Sequence, residues 1–327
     1  MSTTATLDQG VAPPGGRVVS FRRRLRAGDE VAYLITLIAA GTIFLITALV
    51  FYEVFSQSAL SRHKFGWSFL ITSVWDPVAG TFGALPFIYG TVVTSILGLL
   101  VAVPEGIGSA IFLSEMAPPR LSNACTFLIE LLAAVPSVIY GLLGIFILVP
   151  ILERHVVPPL KSAFGWLPIF QGPFYGVSLF SAGIVLSIMI VPFIVSVSRE
   201  VLLAVPRDQR EASLALGASQ WQTTWRVVVP NASSGIVGSI FLALARALGE
   251  TMAVTMVIGN TPQIKASLLA PGDSIASVIA NQFTEATGDL YLSALIELGL
   301  VLFGVTFVLN GLARILIIAT SRKGAHS

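Results

Sequence analysis

Charge is what these 327 residues carry least of: Asp, Glu, Lys and Arg make up 11%, against about 25% in soluble domains. With 55% hydrophobic residues and a mean hydropathy of +0.86, that scarcity excludes an ordinary water-soluble domain. The chain reads as an integral membrane protein. A single cysteine, Cys125, excludes a disulfide framework within the chain. Three histidines (His63, His155 and His326), far apart in sequence, lack the spacing of a metal cluster. No Gly-x-x-x-x-Gly-Lys-Ser/Thr phosphate loop is present, so the chain is not itself a P-loop ATPase. Nor does any nucleophile–base pairing suggest an enzyme.

What the sequence does have is length in its apolar runs. Six stretches reach the roughly 20 residues needed to cross a bilayer, at about 31–52, 87–114, 121–152, 176–198, 233–259 and 290–318. The expected architecture is all-α, with six transmembrane helices. Pro104-Glu105-Gly106 in the second stretch and Pro136 in the third read as kinks within continuous spans. Residues 1–30, ending in the basic run Arg22-Arg23-Arg24-Leu25-Arg26, read as a disordered cytoplasmic tail. Residues 31–320 read as the membrane domain and 321–327 as a second cytoplasmic tail. A cleavable signal peptide is not expected, because the first apolar run is too long and no small-residue site ends it.

The basic residues orient this topology. With both termini inside, thirteen of the 19 Lys and Arg residues fall on the cytoplasmic side and five outside; Arg246 lies within the membrane. That bias is the positive-inside pattern. The outer connections, 53–86, 153–175 and 260–289, are rich in Gly, Pro and aromatics, including Trp67, Trp75, Phe82, Trp166, Phe170 and Phe174. Such residues suit segments resting at the membrane interface. Ser274–Phe283 reads as a short helix lying at or dipping into that surface.

The long cytoplasmic connection, 199–232, has its own punctuation. Pro206 suits a first helical position and Gly217 a left-handed helix end, while Ser219 can cap a second helix. On that second helix Trp221 and Trp225 share a face, four residues apart. Pro230 is expected to break the chain before the fifth span. The loop therefore reads as helix, turn, helix. By pattern alone it suits an amphipathic surface element, a DNA-binding helix-turn-helix or a docking element for a cytoplasmic partner.

Arg246 and Glu250 interrupt an otherwise apolar fifth span. An arginine at the centre of a membrane helix costs roughly 2.5–3.5 kcal/mol on insertion scales, so such a residue points to function. With a rise of 1.5 Å per residue, Arg246 is expected near the midplane and Glu250 one turn further on the same face. The two suit either a structural ion pair or an anion route in which Glu250 positions Arg246. Glu130 in the third stretch and Glu297 in the sixth are further candidates for the route or for pairing.

Within the loop, Glu211-Ala212-Ser213, Gly217 and Val229-Pro230 resemble the EAA loop of ABC importer permeases, with Ser213 where the family has a second alanine. The runs Arg246–Val254 and Leu128–Gly141 are similar to helices of the phosphate-specific members of that family. The wording Gly249-Glu-Thr-Met-Ala-Val254 and the long outer segment after the first span look more like the C-type than the A-type of that system's two permeases. The resemblance spans about residues 30–320. It implies a type I (MetI-like) permease fold in the bacterial plasma membrane. It also implies a homologous second permease, two ATP-hydrolysing subunits and an extracytoplasmic phosphate-binding protein. Glu211, Ala212, Gly217, Trp221, Trp225 and Pro230 would couple to the ATPase, and Arg246 and Glu250 would serve transport. ATP and Mg²⁺ would be used by the partner ATPase; this chain itself would bind no cofactor and no nucleic acid. An importer for another oxyanion, or an ion-coupled carrier with a carboxylate relay, remain alternatives; no internal repeat of the kind such carriers show is found.

Overall fold

The computed structural model describes residues 29–324, so the basic cluster of the N-terminal tail lies outside the described residues. Among these the elements are helices, with one antiparallel bridge between Asp76 and Thr81. Residues up to Glu53 form one unit and those from Val54 onward another. In the first unit, every side chain from Val31 to Glu53 is exposed. A helix so apolar and so exposed belongs in lipid or against other membrane helices.

Among the described residues six helices are long and apolar enough to cross a membrane: Val31–Gln57, Leu85–Met116, Ser137–Phe164, Leu179–Leu203, Gln220–Leu248 and Asp289–Leu312. Span four is the axis of the second unit. Ser178 caps it by accepting from the Ser181 amide. Along it Ala182, Leu186, Met189, Ile190 and Ile194 are buried. Glycines let span two come close. A methyl group on Gly98 would meet Leu186 at 3.2 Å, and one on Gly183 would meet Leu97 at 2.5 Å. Small residues of this kind let membrane helices pack by van der Waals contact where no hydrophobic drive separates helix from lipid.

Two expected spans differ from this picture. The stretch 121–152 is not one kinked helix. Pro119–Ala133 is a separate helix, and the span proper starts at Ser137. Pro136 lacks an amide donor and disfavours helical geometry in the residue before it, so the helix ends rather than bends. The fifth span, in turn, begins at Gln220 rather than about 233, and Pro230 does not break it. A π-helical turn, Thr224–Val228, precedes Pro230; the wider turn accommodates the missing donor. The helix instead stops at Leu248 and restarts as Met252–Ile258. The last helix runs to Gly324, past the expected start of the C-terminal tail at 321.

The outer segments also differ. Trp75 and Phe82 do not rest at the interface; they are buried with Phe69 and Phe87 between spans two and six. The Trp75 indole donates to Gln282 Oε1 at 2.8 Å, as does the Tyr291 hydroxyl. Trp67 and Trp166 are exposed as expected. The short helix forms at Ile275–Gln282, capped by Ser274, but it does not lie on the surface: Ile275 and Val278 are buried in the same core as Trp75 and Phe82.

Candidate translocation and coupling site

Arg246 occupies the last turn of the long helix Gln220–Leu248. There its cation faces the negative end of the helix dipole, a favourable placement. Ala243 and Ala247, on either side of it, pack in one cluster with Ala102 and Ile190, each near the middle of its own span. Because the fifth span starts at Gln220 rather than about 233, Arg246 stands two residues from its far end instead of about a dozen residues in. Its side chain is exposed, within electrostatic reach of Tyr140.

Glu250 is not one turn further along the same helix. It lies in the break Gly249-Glu250-Thr251, and its Oε1 accepts from the Ala253 amide at 3.2 Å. It thus caps the short helix Met252–Ile258, satisfying a donor that lipid could not. Among the described residues no ion pair joins it to Arg246.

A second break lies alongside. Between Pro119–Ala133 and span three, the Leu132 carbonyl accepts from the Tyr140 hydroxyl at 2.7 Å. A methyl group on Gly141 would come within 3.2 Å of Ala253 Cα, and one on Gly144 within 2.9 Å of Val257. The two restarted helices therefore touch through glycine. Irregular backbone at membrane depth persists only where protein covers it or water lines it, and paired helix breaks mark binding sites in transporters. Tyr140, which the sequence did not single out, joins the two. Glu130 is exposed near the end of Pro119–Ala133. Glu297 is 5% exposed, and its polar neighbours are Ser61 and Arg62 rather than Arg246.

The cytoplasmic loop is built as its punctuation suggests. Helix Arg207–Ala215 ends at Gly217, whose φ of +88° suits glycine. Ser219 and Gln222 form a complete capping box at the start of the fifth span. Ser213 turns inward, its hydroxyl 3.0 Å from that of Thr223. Glu211, Ala212, Leu214 and Leu216 face solvent, Leu216 with 91% of its surface exposed.

What fixes the loop was not foreseen. Arg210 grips Glu115, at the inner end of span two, through two bonds of 3.2 and 2.9 Å. It also donates to the carbonyls of Leu202 and Val205. Gln220 Nε2 donates to the Glu115 carbonyl. A carboxylate at the foot of an apolar span, followed by Ala117-Pro118-Pro119, was the available signal. Trp221 and Trp225 do share a face, ring centroids 5.5 Å apart and edge to face. They line a groove of about 340 Å³ with Pro104, Ile107 and Phe112 of span two.

By its likeness to known families, this six-span helical chain is a transport permease of the ABC importer class. The chain belongs to the family of binding-protein-dependent transport system inner membrane components, whose profile matches residues 102–320, and within it to the PstC permeases. It is 44% identical over 308 residues to the phosphate transport system permease protein PstC of Mesorhizobium japonicum, covering 93% of this chain and 94% of that one. The PstC of Xylella fastidiosa is 43% identical over 333 residues, covering 98% and 99%. The fold is shared with a bacterial alginate ABC transporter crystallised with a periplasmic protein bound to an alginate pentasaccharide. There the TM-score is 0.59 at 17% identity, over 91% of this chain and 98% of that one. The chain is accordingly a multi-pass inner-membrane protein.

Proposed function

We propose that this chain forms one half of the translocation path of an ATP-driven inorganic phosphate importer. A homologous permease supplies the other half, two ATP-hydrolysing subunits engage the cytoplasmic loops, and an extracytoplasmic phosphate-binding protein delivers the cargo. The names of the relatives support the cargo and, with the family, this set of partners. ATP and Mg²⁺ act at the ATPase subunits.

The observation that carries the reading is positional. Arg246 stands exposed at the end of the same unbroken helix, Gln220–Leu248, that leaves the loop. Its planar fork of donors suits the oxygens of phosphate. Glu250 holds the restarted helix in place beneath the route. Glu211, Ala212, Leu214 and Leu216 offer the exposed face on which an ATPase subunit would seat. The Arg210–Glu115 bond makes loop and span two move together. Motion of the loop then reaches the arginine through covalent helix rather than through loose packing.

The test is labelled-phosphate uptake by the reconstituted complex, with sulfate as the competing oxyanion. Arg246→Gln is expected to abolish uptake while the complex still assembles. Near wild-type uptake by that variant, or equal uptake of sulfate by the unaltered complex, overturns the reading.

A further inference from the structure

On the membrane flank of the second unit, spans two and six and the outer segment enclose a half-open groove of about 740 Å³. Its walls are apolar: Ile88, Val92, Leu300, Val301, Val305 and Val308 among them. Gly304 stands in the middle of the floor, and a methyl group there would touch nothing within 4 Å. Trp67, 87% exposed, marks the mouth at the outer interface, where tryptophan rings settle. From Glu297 to Leu309 the groove follows span six for about 18 Å at 1.5 Å per residue. Half of a hydrocarbon core is about 15 Å deep. The groove therefore has the length of one leaflet.

Its polar end carries two opposite charges that do not meet. Glu297 is 5% exposed and lines the groove, and its Oε2 has no hydrogen-bond partner. The Ser61 hydroxyl lies beside it, close enough to act on the carboxylate as a hydrogen-bond donor, though neither oxygen has a partner of ordinary geometry. Buried carboxylate oxygens ordinarily have a donor, and leaving one without is costly. Arg62 is near enough to act electrostatically on Glu297, yet no direct ion pair joins them among the described residues. The guanidinium is fixed elsewhere. It lies 3.6 Å over the Phe55 ring and donates to Ser58 Oγ at 3.0 Å and to the Phe55 carbonyl at 2.6 Å. Those bonds engage two of its five donors.

A fixed cation and an anion held only by a serine hydroxyl, set apart at the head of a leaflet-long apolar groove, complement a dipolar headgroup. The geometry points to a phospholipid site in the outer leaflet, selective for a primary-amine headgroup. The ammonium of phosphatidylethanolamine donates to Glu297, its phosphate meets Arg62, and one acyl chain lies along Gly304. Phosphatidylglycerol offers the phosphate without the ammonium. Phosphatidylcholine offers a cation that has no N–H to donate.

The test uses the intact transporter complex in nanodiscs of equal parts phosphatidylethanolamine, phosphatidylglycerol and phosphatidylcholine, with retained lipid read by native mass spectrometry. The unaltered complex is expected to retain phosphatidylethanolamine about tenfold above its bulk share. Glu297→Gln is expected to abolish that preference without reducing total retained lipid. Gly304→Leu, which fills the floor without a clash, is expected to reduce retention of all three lipids. Retention in bulk proportions by the unaltered complex overturns the site, as does a preference unchanged in Glu297→Gln. If Gly304→Leu leaves lipid untouched but lowers recovery of the second permease, the groove is a protein interface and the lipid assignment fails. Phosphate uptake plays no part in these readouts, so they stand or fall apart from the transport assignment.

Discussion

Arg210 on the cytoplasmic loop and Glu115 at the foot of span two are joined by a two-pronged bond, with 19% and 8% of their side chains exposed. So little exposure keeps the pair poorly screened, and removing one partner strands the other. For buried pairs that loss runs to about 3 kcal/mol or more; here partial exposure reduces it. Glu115→Ala is expected to free the loop from span two, lowering uptake at least tenfold while ATP hydrolysis continues. A double-mutant cycle with Arg210→Met should give a coupling energy of about 2 kcal/mol. Additive losses in thermal stability would remove the clamp from the coupling scheme.

Arg246 and Glu250 should separate in their effects. Arg246→Gln should abolish uptake, and Arg246→Lys should restore part of it, because lysine keeps the charge but not the planar fork. Glu250→Gln retains an oxygen that can accept from the Ala253 amide, so its uptake should fall far less. Glu250→Ala loses the cap, at about 1 kcal/mol, and should lower the melting temperature of the complex. Equal uptake losses for Glu250→Gln and Arg246→Gln would instead give Glu250 a direct part in transport.

Gly217 turns the loop at a φ of +88° with open space around it. Gly217→Ala should therefore cost only about 1 kcal/mol of backbone strain. Gly217→Pro cannot adopt the turn at all, and should release the ATPase subunits during co-purification. Intact binding by the proline variant would detach the turn from docking.

Asp273 gives the outer face a pH dependence. Burial pushes its carboxyl from 3.8 up to about 7, against smaller opposing effects from Ser277 and the Ser274 amide. An acid whose folded pKa is raised contributes stability that is whole below about pH 4 and is lost as pH rises through about 7. The span corresponds to about 4 kcal/mol. The melting temperature should fall between pH 5 and pH 8, and Asp273→Asn should flatten that slope. An unchanged slope in the variant would assign the effect elsewhere.

The six crossings were legible because apolar length alone reports them. Their interruptions were not. Gly249-Glu250-Thr251 sits among residues as apolar as any helix interior, so composition carries straight across the break. Pro230, an obvious stop by its chemistry, is passed by a π turn that no periodicity announces. The loop's caps read correctly because Gly217, Ser219 and Gln222 act on their own backbone neighbours. The Arg210–Glu115 bond and the nearness of Glu297 to Arg62 did not, since each brings together residues far apart in the chain.

The helix Gln220–Leu248 has 29 residues, and from Gln220 to Arg246 it measures about 39 Å at 1.5 Å per residue. It is a lever. A tilt of about 5° at the π turn would carry the guanidinium roughly 3 Å, and a hydrogen bond does not survive a stretch of much over half an ångström. A slight rocking of the cytoplasmic foot is therefore enough to make or break every contact at the far tip. The transporter needs little travel at its motor end to change what the membrane interior offers an anion.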